Sequence, residues 1–240
     1  MKNLKMNKTV SALMIALMIS ACGGESPDKL IASSKEYLAK KDSKAAVIQL
    51  KNALQQNPNL GEARFLLGSA LLDSGDLSGA EVELRKALEL KHPADAVVPL
   101  LASAMLGLGQ AKKLVDEFGK TTLAAGEPQA ALKTTLGAAY AGLGKPDEAK
   151  ALLAEALAAS PDYVPARLAD IRQTMVQQDA AGAKSKIDAL LAQKPENADA
   201  LVVKDGIVDP VHRFVHVGQK KRVQILFGAV KEFGQEGFVP

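Results

Sequence analysis

Residues 61–93 read GEARFLLGSALLDSGDLSGAEVELRKALELKHP, and this stretch decides the fold. Its first half places Leu67-Gly68, Leu71 and Gly75 at the spacing of one amphipathic helix that closes on a glycine. Its second half carries Ala80, Leu84 and Ala87, a small-x-x-x-large-x-x-Ala phrase, and ends beside Pro93, which stops a helix cleanly. The phrase recurs as Ala46/Leu50/Ala53 before Pro58, Ala149/Leu153/Ala156 before Pro161 and Ala183/Ile187/Leu190 before Pro195. The first-half signature returns as Leu136-Gly137 with Tyr140 and Gly144. The period is about 34 residues. Chance in an Ala/Leu-rich bundle does not readily give four phrases with prolines in register.

A lone helix pair cannot bury its apolar face, so pairs of this kind must stack, each neighbour supplying the surface the other lacks. The pattern resembles the tetratricopeptide repeat (TPR), with a small residue where the two helices come closest and a glycine at the turn between them. That resemblance implies an all-α solenoid, with units beginning at Pro27, Gly61, Asp95, Ala130 and Val164, each 34 or 35 residues after the last. Five units then fill residues 27–195, and residues 196–240 hold a sixth that breaks off. The third unit departs from the pattern with Leu114 at a small-residue position, and the fifth with Asp170-Ile171 in place of Leu-Gly. Irregular packing is expected in both. Composition agrees with helices throughout, since aromatics are 4% of the 240 residues and Trp is absent.

The first 21 residues have another character. Lys2, Lys5 and Lys8 precede an uncharged run from Val10 to Ile19, the form of an export signal. Ten residues rise only ~15 Å as a helix, half of a ~30 Å hydrocarbon core, too little to remain as a span. A single cysteine in an exported chain is a buried passenger, an intermolecular bridge or a lipid attachment site. Cys22 stands at the edge of the apolar run, in Ile19-Ser20-Ala21-Cys22-Gly23. That string resembles the bacterial lipobox, with Ile19 where Leu is usual. The resemblance implies cleavage before Cys22, diacylglycerol on its thiol and a third acyl chain on the new amino group, with residues 22–26 as the tether. Two or more chains hold a protein stably on its membrane. Gly23 stands where Asp retains enteric lipoproteins in the inner membrane, so the resemblance points to the outer membrane and the periplasm.

Little in the chain suggests chemistry. The histidines are His92, His212 and His216; the last two are four residues apart, but no third ligand is suggested nearby. His92 beside Pro93 reads as a solvated helix end, and Gly107-Leu108-Gly109 as a turn, since no strand precedes it as in a phosphate loop. Glu81 and Glu83 lie among Arg85 and Lys86 in the manner of a solvated helix face, where substitution at Glu83 or Lys86 should be neutral. The net charge of +3 comes from 30 basic and 27 acidic residues without a dense basic block, which gives nucleic-acid binding little support. We expect a protein that is not an enzyme and that needs no cofactor or metal.

Function then falls to the concave face, where TPR proteins use recurring positions of the first helix of each pair. Carried onto this chain, these are Ile31, Lys35 and Leu38; Phe65, Ser69 and Leu72; Ser103 and Leu106; Thr134 and Ala138; Leu168 and Arg172. They are mostly apolar or small and lack the Lys/Asn ladder with which chaperone-type TPR domains clamp a C-terminal carboxylate. Phe65 is the candidate anchor, or else an ordinary packing residue between units. Three strings carry a closer resemblance, to the TPR-repeat lipoproteins of the exosortase (PEP-CTERM) protein-sorting system: Ser20-Ala21-Cys22-Gly23, Lys51-Asn52-Ala53-Leu54-Gln55 and Gly61-Glu62-Ala63-Arg64. Those proteins are longer arrays. The resemblance implies a protein-binding scaffold in exopolysaccharide-associated export and sorting. A lipid-anchored TPR array also describes an outer-membrane assembly factor or a pilotin that holds a secretin.

Repeat character stops after Lys204, inside what should be the first helix of a sixth unit. Val211, Phe214, Val215, Val217, Val223, Ile225 and Phe227 follow, of types scarce upstream. One reading is a small appended β-hairpin turning near Gly218; because the change falls in mid-helix, the expectation is instead a chain truncated or shifted out of frame near Lys204.

Overall fold

The computed structural model describes residues 25–208. Helices fill that span in pairs: α1 (Pro27–Ala39) with α2 (Ser43–Gln56), α3 (Gly61–Ser74) with α4 (Leu77–Glu89), α5 (Ala94–Gly107) with α6 (Ala111–Phe118), α7 (Glu127–Gly142) with α8 (Pro146–Ala159) and α9 (Val164–Val176) with α10 (Ala180–Gln193). A further helix, α11 (Ala198–Val208), packs on the last pair. Among the described residues there is no β-strand. The fold is the all-α solenoid that the repeat pattern implied. The export signal, Cys22, His212, His216 and residues 209–240 lie outside the described residues.

Each pair begins and turns for local reasons. The carboxylates of Asp42, Asp76 and Asp179 accept hydrogen bonds from the backbone N–H of Ala45, Gly79 and Gly182, capping α2, α4 and α10. A cap of this kind contributes about 1 kcal/mol. Every turn within a pair passes through the left-handed region, at Lys41, Gly75, Gly109, Gly144 and Gln178, with φ of 59°, 85°, 73°, 72° and 63°. Glycine takes that conformation freely, whereas Lys41 and Gln178 carry a steric penalty for their Cβ atoms.

The two helices of a pair meet at the repeated small residues. A Cβ on Gly68 would lie 2.6 Å from Leu84 Cγ, and one on Gly137 would lie 3.3 Å from the carbonyl oxygen of Ala149. Ala46, Leu50, Ala53, Ala80, Leu84, Ala87, Ala156, Ala183, Ile187 and Leu190 are all fully buried, and Ala149 and Leu153 nearly so. The first helices of successive pairs pack on one another, α5 on α7, α7 on α9 and α9 on α11, while the backbones of the second helices stay apart, α4 and α6 being joined by long charged side chains. A row in contact on one side and spread on the other curves, so the first helices form its inner face.

The units that break the pattern behave differently from each other. In the third, Leu114 is buried where the others have Ala, and α6 is only 8 residues long. The loop after it returns Leu123 to the same core as Phe118, with Leu123 N–H donating to Gln129 and Ala124 N–H to Asp95. The fifth unit was expected to be irregular too, yet α9 and α10 have 13 and 14 residues and Ile171 sits in the core at the glycine position. Lys186 on α10 ties it, reaching Asp170 at 2.8 Å and Thr174 Oγ1 at 2.9 Å. Unit starts shift slightly: α5 begins at Ala94, one residue before Asp95, and α7 at Glu127, three before Ala130, because Gly126 (φ 96°) and Pro128 open the helix early. Beyond the fifth pair, Lys204 holds α11 to Asp188 of α10 at 2.8 Å. Hydrogen bonds from Lys184 and Lys204 lower the Asp188 pKa to about 2.

Two substitutions check this assignment. Ala80→Glu overpacks the α3–α4 contact and buries an unpaired carboxylate, so it should cost about 3 kcal/mol or more. Val82→Glu, at a half-exposed position two residues away, should stay within about 0.5 kcal/mol of the parent. Equal melting temperatures for the two would remove the register. Separately, Gln178→Gly should raise stability by about 1 kcal/mol by relieving the left-handed turn, read as a higher denaturation midpoint at unchanged slope.

Candidate functional site

The inner face is made by α1, α3, α5, α7, α9 and α11, and the predicted groove residues divide on it by exposure. Ile31 and Leu168 are 6% and 4% exposed and belong to the core. They were expected in the groove; each instead packs in a core cluster with side chains of its own second helix and of the next first helix, so neither offers a contact to a partner. Phe65, Leu72 and Leu106 are half-buried and support the central core with one edge open. Leu38, Ser69 and Ala138 are also half-buried. Ser103 Oγ donates to the Pro99 carbonyl at 2.9 Å and Thr134 Oγ1 to the Ala130 carbonyl at 2.7 Å, so their own helices satisfy both hydroxyls.

Phe65 stacks on His92, with ring centroids 4.6 Å apart and planes inclined by 21°. His92 is therefore half-buried against an aromatic face, not the solvated helix end expected from its neighbour Pro93. The stack takes one face of Phe65 out of the groove and fixes the turn between α4 and α5 against α3.

Two charged residues occupy equivalent places at opposite ends of the face. Lys35 on α1 reaches Glu62 at the start of α3, 2.7 Å away. Arg172 on α9 has the same relation to Asp199 at the start of α11, but makes no ion pair or hydrogen bond among the described residues. Burial lowers the Arg172 pKa, and the field of Asp199 only partly opposes that.

The acidic residues of α4 correct a second expectation. The side chains of Glu81 and Glu83 are 13% and 15% exposed, not solvated. Glu83 pairs with Arg64 of α3 at 2.6 Å, and Arg64 also donates to the Pro58 carbonyl. Glu81 accepts from Arg85, Lys113 and Gln110, and Arg85 goes on to Glu117, so a polar clamp joins α4 to the short α6. Burial works against the Glu81 charge, but the hydrogen bonds from Lys113, Gln110 and Arg85 outweigh it and hold its pKa below the usual value. The sequence did carry a signal for such pairs: basic and acidic residues one helix apart. Without a structure, nothing distinguished them from surface charge. Among the described residues no group of three His, Cys, Asp or Glu is placed to hold a metal ion, and no helix is long and apolar enough to cross a membrane.

This geometry defines a class, a helical-repeat array with a continuous inner face. The tetratricopeptide repeat pattern matches residues 37–104 and again residues 130–163. The chain carries tetratricopeptide repeats, modules that generally serve as non-catalytic scaffolds for protein interactions. It is similar in fold to a thermophilic TPR protein of Thermus thermophilus, with 20% identity, 76% of this chain and 99% of the other covered, and a TM-score of 0.60. It is likewise similar to PilW, described as a widely conserved type IV pilus biogenesis factor, at 17% identity over 88% of this chain and 93% of that one, TM-score 0.62. Pseudomonas aeruginosa pilF gives 18% identity, coverage of 76% and 82%, and a TM-score of 0.59. No curated protein matches the chain.

The clamp yields a pH prediction. A carboxylate whose pKa is lowered on folding contributes stability that is complete above its unfolded value and is lost as pH falls through the folded one. Glu81→Gln should therefore cost about 1–3 kcal/mol at pH 7, and the gap between mutant and parent should close as pH falls below the ordinary carboxylate range. Urea denaturation of both proteins across pH 3–7 reads it.

Proposed function

We propose that this protein is a membrane-anchored TPR scaffold that binds protein partners along its inner face and performs no chemistry of its own. The observation that carries the reading is the inner row of first helices, whose half-buried side chains leave a continuous surface for a partner. Cys22 supplies the lipid, placing the array in the periplasm, on the outer rather than the inner membrane. The process we assign is exopolysaccharide-associated export and the sorting of exported proteins, supported by the resemblance in residues 20–23, 51–55 and 61–64. The rival role, an outer-membrane assembly factor or pilotin-type lipoprotein, uses the same architecture. The likeness to PilW is one of fold and serves either role.

Crosslinking in native membranes followed by mass spectrometry separates the two. Recovery of polysaccharide-export or sorting components is the expected result. A secretin or a β-barrel assembly subunit without them would overturn the assigned process. Cys22→Ser should release the protein from the membrane fraction after a carbonate wash, and retention would overturn the anchor.

A further inference from the structure

The groove at the α7–α9–α11 end differs from the rest in one respect: its charge is not answered. Arg172 projects from α9 at an inner-face position, half-buried, with no carboxylate within ion-pair distance among the described residues. The equivalent cation, Lys35, is closed onto Glu62 at 2.7 Å. A guanidinium withdrawn from water without a partner is unfavourable, and its planar fork is best satisfied by two parallel hydrogen bonds to a carboxylate.

The surroundings are suited to a peptide. Val176, one turn further along α9, is 82% exposed, and Val202 on α11 is 56% exposed. Thr134 and Ala138 on α7 are short, and the Thr134 hydroxyl is already satisfied by its own helix. An apolar side chain and an acidic one, close together on one segment, would meet Val176 and Arg172 at once.

We infer that Arg172 is the specificity-determining anchor of the inner face, taking an Asp or Glu side chain that lies beside apolar residues within a segment of the partner protein. This rests on the scaffold reading above. The missing Lys/Asn ladder argues against a chain terminus as the ligand, because a single guanidinium stands where such a clamp needs several donor side chains. Asp199 acts as an internal competitor, near enough to bias Arg172 electrostatically yet outside bonding distance.

The test uses the full chain in detergent, panned against two displayed dodecapeptide libraries, one without and one with a free C-terminus. The library without a free terminus should enrich Asp or Glu at one internal position flanked by apolar residues. A selected peptide should bind about tenfold tighter than its Glu→Gln or Asp→Asn version. Arg172→Gln should erase that difference with an unchanged melting temperature, Arg172→Lys should restore part of it, and Asp199→Asn should tighten binding. The inference fails if no acidic residue is enriched, if enrichment persists in Arg172→Gln, or if only free C-termini are selected. It fails also if Asp199→Asn lowers the melting temperature without changing peptide affinity, since Arg172 would then be a structural partner of Asp199. Selection of apolar peptides without an acid would leave the scaffold reading standing. Selection of nothing would remove both.

Discussion

The contact between Gly68 and Leu84 sets the terms for the array. With no Cβ on Gly68, the Leu84 side chain lies across the backbone of α3, at a distance a methyl group could not share. That approach brings Ala80 fully inside and lets Arg64 span to Glu83 at 2.6 Å on the flank. Gly137 repeats the arrangement against Ala149 at the other well-matched pair. Close packing of this kind tolerates little change of volume, so the distance between two helices is transmitted to the spacing of the next pair.

Where the small residues are absent, polar contacts and loop residues take over. Leu114 is accommodated by a short α6, and the helical turn missing from it is replaced by Leu123 from the following loop. The gap between α4 and α6 is then bridged by the Glu81–Arg85–Glu117 chain, with Lys113 and Gln110 adding donors. In the fifth unit Ile171 fills the space a glycine would have left, and Lys186 fastens the pair from outside. The third unit thus adapts by changing its backbone and the fifth by changing its side chains.

Much of this was legible in residues 61–93 alone. Periodicity of Ala, Leu and Gly reports burial directly, which is why the core phrases Ala46/Leu50/Ala53 and Ala80/Leu84/Ala87 could be read without coordinates. The inner face was less legible: Ile31 and Leu168 occupy groove positions by count, but neighbouring helices bury them, and burial of that kind depends on a neighbour's placement. The same holds for Glu81, Glu83 and His92, whose partners come from other helices. The Asp42, Asp76 and Asp179 caps were visible in principle as an aspartate recurring at the repeat spacing, but a cap is polar and leaves no mark on a hydrophobic pattern.

The apolar core is not a single body. Leu30, Leu50 and Leu67 belong to one cluster, Leu84, Leu101 and Leu136 to a second, and Leu168, Ile187 and Val203 to a third. Between the last two lies a small cluster of Ala130, Leu153, Ala156 and Ala166, in which three of four members are alanines. Alanine brings one methyl to a contact where leucine brings a branched chain, so the fully buried part of this junction of α7 and α8 with α9 is small and is completed at its rim by the half-buried Leu157 and Tyr163. Cooperativity in a linear array is only as long as its weakest interface allows. The array is therefore expected to part first near residue 160, which native-state hydrogen exchange would read as the amides of α9, α10 and α11 opening together.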